Sequence, residues 1–456
     1  MSVPVAVNLS VAAGGAADGR LTLPCRRRPA RTVLALRPRT AYVLGYPLCT
    51  VIVRRRTHSS IMPNRITNSF SITYGYPVVF THDAFAPANP ALAAAFSTAG
   101  GRGATPCLAL LDDGLAAADP GLSARLVAYC QAHRSCVDLR AAPILIPGGE
   151  RAKDGWEVPL LTLRQATAAG LCRHSIILAV GGGAMLDAVG LGAALFHRGA
   201  HLLRCPTTVL AQCDSGVGVK NGVNLDGIKN LAGTFAPPLA VLNDVETLRS
   251  LSDRDWVAGI AEAFKVAAIR DAGFLTWLTE HAETLRRRDL AAMETLVIRC
   301  ATLHCEHIAA GGDAFEQGSA RPLDFGHWAA HKLEGMSAFT LRHGEAVAIG
   351  IALDVLYAVR QGLVKPDPAA ALIRALRRSG LPVWDAHLAQ LASDGTPLVL
   401  TGLEEFRQHL GGQLHVTLPA PLGQGCEVTH IDGVAMAAAI ADLAALQATL
   451  GQEAQP

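Results

Sequence analysis

The sequence lacks any uninterrupted apolar run of the roughly 20 residues that a bilayer-spanning helix requires. Its eleven cysteines include no CxxC pair and no zinc-finger spacing, and their odd number argues against a complete disulfide framework. Half of the 456 residues are hydrophobic and 17% are charged, which is typical of a globular chain with two or three domains. We therefore predict a cytoplasmic protein with reduced thiols.

The first 61 residues lack lysine and contain one acid, Asp18, among ten arginines. This leader carries a charge of +9 and the remainder of the chain −7. Three interpretations remain open: translation begins at Met62, the leader is a disordered native tail, or it is an Arg-rich targeting segment. The acidic remainder has no basic stripe, which argues against a nucleic-acid partner.

Short apolar strands alternate with helical segments from Phe70 onward, a pattern that predicts a parallel sheet covered on both faces. Strands are predicted at 71–81, 107–113, 142–147, 175–180, 201–208 and 239–244. After Thr247 helices dominate, at 255–271, 274–288, 293–309, 343–362 and 369–380, and a strand pair near 411–423 precedes a last helix at 432–450. Asp367 and Pro368 are predicted to cap and start the helix at 369–380. We expect an α/β Rossmann-like nucleotide-binding domain at 62–246, an all-α domain at 247–456, and a cleft between them.

A buried strand runs into three glycines and then a helix in SIILAVGGGAMLDAVG, residues 175–190. Glycines let the backbone approach a pyrophosphate, and a helix N-terminus offers free N–H groups to it. The segment is not GxGxxG, and GGG alone fits a simple tight turn equally well. Two further features favour a dinucleotide site. A second glycine pair follows a strand in PGGERAK (147–153), with Lys153 nearby, and Asp112 ends another strand. We therefore predict that three strand ends bind one dinucleotide.

Three histidines lie in DFGHWAAHKLEGMSAFTLRHGEAVAIG, residues 324–350. His327 and His331 are four residues apart and share one helix face, and His343 begins the next helix. Neutral imidazoles are common ligands of zinc-like ions, and Glu262, inside an apolar helix with Lys265 three residues later, offers a carboxylate. The alternative is that these are core histidines bonded to backbone carbonyls.

Six segments occur in the order and approximate spacing of the 3-dehydroquinate synthase superfamily, the sugar phosphate cyclases: VGGGAMLDAVG, RCPTTVLAQCDSGVGVKNGVN, KNLAGTFAPP, RDWVAGIAEAFKVA, FGHWAAH and LRHGEAVAIG. The sequence resembles this superfamily over about residues 70–445. The resemblance implies a dehydroquinate synthase-like fold, a small sugar phosphate substrate, retained NAD⁺, one Zn²⁺ or Co²⁺ ion, and a homodimer. It also implies a carbon–oxygen lyase that acts on phosphates.

The resemblance assigns site residues motif by motif. The residues that resemble metal ligands are Glu262, His327 and His343. Those that resemble groups around the substrate are Asp214, Lys220, Lys229, Asn230, Lys265 and His331, with Arg198 reaching a neighbour's substrate phosphate in the dimer. Those that resemble NAD contacts are Asp112, Glu150, Lys153, Gly182, Gly183, Asp187, Thr207 and Thr208.

The implied reaction begins with transient oxidation of a secondary alcohol by NAD⁺, with the metal polarising the alcohol oxygen. Phosphate is then eliminated, the hydride returns, and an intramolecular aldol addition closes a carbocycle. Lysines compensate the phosphate charge, and Asp214 with His331 can orient hydroxyls or transfer protons.

Departures from 3-dehydroquinate synthase itself bear on the substrate. Glu306 and Ala320 align with the Lys and Arg that bind the carboxylate of its heptulosonate, although Arg321 is one position away, and Asp324 replaces an Asn. The sequence therefore favours an uncharged head, as in sedoheptulose 7-phosphate, and resembles valiolone-type synthases and the cyclases of ebo-type clusters. His331 stands where the 2-epi-5-epi-valiolone branch is expected to have proline.

Several alternatives remain. Arg407 lies near the position of a phosphate-binding lysine in the family, or it is a plain surface arginine. For the whole chain, the competing hypotheses are 3-dehydroquinate synthase activity on the heptulosonate, a metal-dependent alcohol or polyol dehydrogenase with the same two-domain plan, and a non-catalytic binding protein that kept the fold.

Overall fold

A parallel sheet forms the centre of the first half of the chain in the computed structural model, which describes residues 66–99, 103–310, 314–315, 322–409 and 412–453. The strands are β1 (Val78–Thr81), β2 (Thr105–Asp112), β3 (Val137–Leu139), β4 (Ile144–Ile146), β5 (Ile176–Gly181), β6 (His201–Pro206), β7 (Lys220–Leu225), β8 (Ile228–Phe235), β9 (Ala240–Asp244), β10 (Val416–Pro419) and β11 (Gly425–Val428). The order in the sheet is β1-β9-β6-β5-β2-β3, with β4 also paired to β2, and all these pairs are parallel. β7 with β8, and β10 with β11, form two separate antiparallel pairs.

Helices connect the parallel strands and make up most of the second half. They are α1 (Ala91–Ser97), α2 (Asp113–Ala118), α3 (Leu122–Ala132), α4 (Glu157–Ala168), α5 (Gly183–Leu195), α6 (Asp253–Ala258), α7 (Ile260–Arg270), α8 (Ala272–Arg286), α9 (Leu290–Ala310), α10 (His327–Met336), α11 (His343–Arg360), α12 (Pro366–Arg378), α13 (Thr401–His409) and α14 (Gly433–Glu453). This pattern matches the predicted α/β half followed by a helical half.

The sheet is buried on both faces, as its apolar strands predict. Every residue of β5 is buried. Successive side chains of β2 point to opposite faces: Leu111 packs in one core cluster with Leu126 of α3, and Leu108 packs in the other with Val189 of α5. The carboxyl ends of the parallel strands therefore lie at one edge of the sheet.

Helix α7 is the central element of the helical half. All its residues from Ile260 to Ile269 are buried, and it packs against α8, α9 and α11. A helix that is apolar on every side is driven into the interior by the hydrophobic effect. Glu262 and Lys265 are therefore held inside the protein, where each requires a partner of opposite charge.

Four details of the sequence-based prediction were wrong. The strand predicted at 71–81 is ordered as a strand only from Val78, and the β7–β8 hairpin was not predicted. The helix predicted at 255–271 is interrupted at Gly259, where a Cβ atom would lie 2.4 Å from the backbone nitrogen of Leu210. Helix α12 starts at Pro366 rather than after Asp367, because the fixed φ of a proline suits the first helical position.

The described residues from Tyr74 onward form one compact unit. The Arg-rich leader lies outside the described residues. Among the described residues, no helix is both long and apolar enough to cross a bilayer. The cysteines that are described are all free, in agreement with the expected reduced thiols.

Candidate active site

Glu262, His327 and His343 come together from α7, α10 and α11. One potential ligand atom of each lies within 4.8 Å of those of the other two. The Nε2 atom of His343 is 3.5 Å from Oε1 of Glu262, and the ring centroids of His327 and His343 are 5.3 Å apart. The three residues predicted as metal ligands therefore converge on one point.

The donor set fits a divalent cation. Both carboxylate oxygens of Glu262 are buried and accept no hydrogen bond in the described structure, although Lys265 Nζ lies 2.5 Å from Oε2 as an ion pair. The Nδ1 atom of His327 is 3.2 Å from the carbonyl oxygen of Phe325, which can only accept, so Nε2 is left free. Two imidazoles and one carboxylate are typical of a catalytic zinc site with an open fourth position.

A second group of potential ligands, His331, Glu334 and His343, shares one histidine with the first. The Nζ atom of Lys229 lies 2.6 Å from Oε1 of Glu334. His331 of this group is exposed, whereas Glu262 and His327 of the first group are both buried. The first group is therefore the better enclosed of the two candidate metal sites.

Lys265 bridges two carboxylates. Its Nζ atom donates to Oδ2 of Asp214 at 2.7 Å and lies 2.5 Å from Glu262. Burial raises the pKa values of Asp214 and Glu262, but the attraction of the Lys265 ammonium is stronger. Both pKa values are therefore lowered. Burial alone would lower the pKa of Lys265, but the two carboxylates raise it. The three groups are therefore charged at neutral pH.

His304, on α9, was missed by the sequence analysis. Its Nδ1 atom lies 3.4 Å from Oδ1 of Asp214. Burial lowers the pKa of His304 more than Asp214 raises it, so the ring is neutral at pH 7. The sequence cannot distinguish His304 from a core histidine of this long helix, because Asp214 is 90 positions away.

Glu334 was also missed. It is buried on α10, and its Oε2 atom lies 3.3 Å from Nδ1 of His343 while Oε1 accepts from Lys229. Burial opposes protonation of His343, but Glu334 and then Glu262 raise the pKa of His343 to about 10. The argument used for Glu262, a carboxylate in an apolar helix that must have a partner, would have found Glu334 in HWAAHKLE.

His331 shares the α10 face with His327, as predicted, and their ring centroids are 5.5 Å apart. The residue is exposed. Desolvation of its ring, followed by the nearby His327 and His343, lowers the pKa of His331. The ring is therefore neutral at pH 7 and can donate or accept a hydrogen bond at the opening of the site.

The loop from Asp214 to Lys220 is fastened by Arg204, a fully buried residue of β6. Its guanidinium donates to the carbonyl oxygens of Gly218 and Lys220, each at 2.9 Å. The side chain of Lys220 is exposed at the start of β7. These bonds fix the backbone between two of the predicted substrate residues.

The ends of β2, β4 and β5 meet, as the sequence predicted for a dinucleotide site. A Cβ atom on Gly148 would lie 2.4 Å from Oδ1 of Asp112, and one on Gly181 would lie 2.8 Å from Cβ of Asp112. The Asp112 side chain is therefore enclosed by two glycines, and its Oδ1 accepts from the backbone nitrogen of Leu115.

Gly182 and Gly183 form the turn from β5 into α5, with Gly182 as the N-cap residue. A Cβ atom on Gly183 would lie only 2.2 Å from Oγ of Ser215. Thr207 and Thr208 follow β6 beside this turn, since the Thr207 nitrogen donates to the Gly181 carbonyl at 3.0 Å. The 13-residue helix α5 thus begins directly at the glycine turn, and the free N–H groups of a helix N-terminus suit a pyrophosphate.

Lys153, Asp187 and Asn230 form a polar cluster next to this turn. Lys153 Nζ donates to Oδ2 of Asp187 at 2.7 Å and to Oδ1 of Asn230 at 2.6 Å. Oδ1 of Asp187 is buried and without a hydrogen-bond partner in the described structure. An orphaned buried acceptor fits a site for a polar ligand. Glu150 is exposed and lies 3.5 Å from the Asn224 amide.

The remaining predicted residues lie outside this constellation or outside the described residues. Arg198 is exposed in the turn Phe196–Arg198 that follows α5. Glu306 is exposed on α9, and Ala320 and Arg321 are not among the described residues. Arg407 forms an ion pair with Glu404 on α13, as expected of a surface arginine.

Comparison with known families identifies the class of protein. Residues 143–258 match the 3-dehydroquinate synthase N-terminal family, and residues 259–395 match the 3-dehydroquinate synthase C-terminal family. The chain belongs to the 3-dehydroquinate synthase family and is an enzyme of the sugar phosphate cyclase class.

Individual relatives include both branches considered from the sequence. The chain is 37% identical to the 2-epi-5-epi-valiolone synthase of Streptomyces glaucescens over 59% of this chain and 68% of that protein. It is 36% identical to the 3-dehydroquinate synthase of Dichelobacter nodosus over 67% of this chain and 80% of that protein. Among solved structures, the 2-epi-5-epi-valiolone synthase ValA of Streptomyces hygroscopicus subsp. jinggangensis, with NAD⁺ and Zn²⁺ bound, is similar with a TM-score of 0.73 and 29% identity, over 83% of this chain and 99% of that one.

Proposed function

We propose that this enzyme converts a heptulose phosphate, sedoheptulose 7-phosphate, into a carbocycle with release of inorganic phosphate, as a carbon–oxygen lyase. The observation that carries the proposal is the convergence of Glu262, His327 and His343, with Oε1 of the buried Glu262 carboxylate lacking a hydrogen-bond partner in the described structure. This set lies beside the ammonium of Lys265. A cation and a fixed positive charge together suit a substrate with both a reacting hydroxyl and a phosphate.

Two bound groups supply chemistry that the side chains lack. Glu262, His327 and His343 would hold Zn²⁺ or Co²⁺, which would supply Lewis-acid polarisation of a substrate oxygen. The turn formed by Gly182 and Gly183 would hold NAD⁺, which would supply reversible hydride transfer and so serve as a catalyst.

The protein's own groups bind and orient the substrate. Lys265 stays protonated between Asp214 and Glu262 and offers a positive charge to an oxyanion. The ionised Asp214 can accept a hydrogen bond from a substrate hydroxyl. The neutral ring of His331 can hydrogen-bond to a substrate hydroxyl as donor or acceptor.

The preference for an uncharged head is supported by Glu306. An acid stands at a position where 3-dehydroquinate synthases are expected to use a cation for the carboxylate of the substrate. If Glu306 takes the place of that cation beside the substrate, its charge repels a substrate carboxylate, which disfavours a heptulosonate. The reported similarity to valiolone synthases supports the same choice.

Phosphate release tests the proposal. Purified protein with NAD⁺ and either zinc or cobalt is incubated separately with sedoheptulose 7-phosphate and with the heptulosonate phosphate of the shikimate pathway. We expect phosphate and a carbocyclic product, identified by NMR, from sedoheptulose 7-phosphate. The variant Glu262→Gln, which loses one metal ligand, is expected to release at least about 100-fold less.

The similarity to 3-dehydroquinate synthases supports a second candidate, cyclisation of the heptulosonate. Phosphate release from the heptulosonate alone would establish it and refute the first. Accumulation of NADH with a simple polyol, without phosphate release, would instead identify an alcohol dehydrogenase.

We also propose that residues 62–246 bind NAD and that residues 247–456 supply the metal ligands and, with the segment from Asp214 to Asn230, the substrate site. We further propose a homodimer in which Arg198 of one copy reaches the substrate phosphate of the other, since this arginine is exposed. Light scattering would measure the mass, and Arg198→Ala should raise KM without changing NAD affinity. A monomer with full activity would refute the dimer.

A further inference from the structure

We propose that Glu334 is a positioning residue, which holds the His343 imidazole so that its Nε2 atom faces the metal and its Nδ1 atom keeps a proton. The inference rests on the metal-dependent reaction proposed above and extends it to a residue that does not touch the metal. It concerns the second carboxylate of the site, which the sequence analysis did not identify.

The two nitrogens of His343 face two different carboxylates. Nδ1 lies 3.3 Å from Oε2 of Glu334, and Nε2 lies 3.5 Å from Oε1 of Glu262. An ionised carboxylate can only accept hydrogen bonds. Once Nε2 binds a cation, the proton must therefore remain on Nδ1, where it is donated to Glu334. A carboxylate in this position also makes the imidazole a better electron donor to the metal.

Glu334 has little freedom to move away from this contact. Its side chain is only 3% exposed, and Oε1 accepts a hydrogen bond from Lys229 at 2.6 Å. The ammonium of Lys229 also lies over the ring of Phe339, 5.3 Å from its centroid. A buried carboxylate held by a lysine on one oxygen can offer only its other oxygen to His343.

This arrangement joins three elements of the fold. Glu334 lies on α10, seven residues after the metal ligand His327 and on the same side of the helix. His343 begins α11, and Lys229 belongs to the β7–β8 hairpin. Glu334 of α10 thus fixes the position of His343. Lys229 of the β7–β8 hairpin, which also carries Asn230, fixes Glu334 in turn.

Metal affinity, measured without substrate, tests the inference. The apo protein is titrated with Co²⁺, followed by visible absorption, and with Zn²⁺ in competition with a chelator. We expect Glu334→Met, which removes the acceptor, to weaken binding by about 10- to 100-fold. Glu334→Gln keeps an acceptor oxygen and should recover much of that loss, so that its affinity lies between those of Glu334→Met and the wild type.

Glu345→Gln is the matched control. Glu345 lies in the first turn of α11 with His343 and pairs with Arg254 at 2.6 Å, and in the described structure no hydrogen bond or ion pair joins it to His343. The same change of charge there should alter thermal stability and leave metal affinity within about 2-fold. A role of Glu334 in stability alone would instead lower the melting temperature of both Glu334 variants with no effect on affinity.

NMR of the wild type tests the inference even if Glu334→Met does not fold. Protein with ¹⁵N-labelled histidine and bound Zn²⁺ should show His343 coordinated through Nε2 with a proton on Nδ1. Coordination through Nδ1, or equal Co²⁺ affinities and spectra for both folded Glu334 variants and the wild type, would overturn the inference. These measurements need no substrate, so they remain decisive if the proposed cyclisation is refuted.

Discussion

Lys265 Nζ lies 2.5 Å from Oε2 of Glu262, three residues earlier on the same buried helix. The charge of the carboxylate is thus compensated before a metal binds. Since Asp214 also bonds to this ammonium, one lysine balances two buried acids. Stability and metal binding are therefore coupled through Lys265.

The variant Lys265→Met should separate these two effects. It leaves Glu262 and Asp214 without their cation, so we expect the apo protein to lose about 3–5 kcal/mol of unfolding free energy. Zn²⁺ should then raise the melting temperature more for the variant than for the wild type, because the metal replaces the missing charge. Denaturant unfolding with and without Zn²⁺ measures both quantities.

Lys332→Met is the control for this experiment. Lys332 lies on α10 and pairs with Glu405 of α13, whose side chain is exposed. An exposed pair contributes no more than about 1 kcal/mol. If Lys265→Met were no less stable than Lys332→Met, Lys265 would not compensate the buried acids.

Gly183 should be required for dinucleotide binding because of its distance from Ser215. Gly183→Ala would place Cβ 2.2 Å from Oγ of Ser215 and push the turn out of position. We expect NAD⁺ affinity to fall by about 10-fold or more, consistent with an overpacking cost of 1–3 kcal/mol. Calorimetric titration with NAD⁺ measures the change.

The double variant Gly183→Ala with Ser215→Ala removes the Oγ atom, and the nearest remaining contact is 3.2 Å from the new methyl group. It should recover most of the affinity. An affinity equal to that of the single Gly183 variant would mean that this contact does not control the turn.

Asp354 should give the protein a stability that depends on pH. It accepts from Trp328 Nε1 and from the Gly326 nitrogen, on both sides of His327. Burial raises its pKa from 3.8 to about 7, despite these two donors. Between pH 4 and 7 the folded protein therefore keeps the Asp354 proton, whereas the unfolded chain has lost it. The stabilisation that results is complete below pH 4 and disappears as the pH rises through 7.

The size of this effect is at most about 4 kcal/mol. Urea unfolding of the apo protein at pH 5 and pH 8 measures it, and Asp354→Asn should show the smaller difference between the two pH values. An equal difference in both proteins would show that Asp354 is ionised throughout.

Close contact between α11 and α6 should make Gly344 irreplaceable. A Cβ atom there would lie 1.9 Å from the carbonyl oxygen of Ala258, so Gly344→Ala must displace the start of α11, including His343. We expect a loss of about 1–3 kcal/mol or more and weaker Co²⁺ binding.

Gly335→Ala provides the comparison, since a Cβ atom on Gly335 of α10 meets no atom within 4 Å. Alanine in a helix is more stable than glycine by about 0.5–1 kcal/mol, so this variant should melt at a higher temperature. Thermal unfolding of both variants tests this prediction. Equal shifts of the melting temperature in the same direction would contradict a close contact at Gly344.

The sequence was sufficient to predict the first-half sheet, because the signals lie within short segments, while Glu262, His327 and His343 as metal ligands stay a prediction. Apolar runs such as 175–180 predict buried strands by themselves, and the spacing of His327 and His331 fixes their common helix face. The β7–β8 hairpin was missed because its two strands, KNGVNL and IKNLAGTF, mix glycine, polar and apolar residues without the regular alternation that predicts a strand. Its residues pair with each other rather than with the sheet.

What the sequence alone determined is the chemistry available to the site: a carboxylate in an apolar helix, histidines at helical spacing, and glycines at the ends of strands. Only the tertiary structure decided which groups share a contact, as in Lys229 with Glu334 and His304 with Asp214. These pairs are separated by 105 and 90 positions, and no local pattern specifies them. They form because burying the surrounding apolar surface forces each enclosed charge to find a partner.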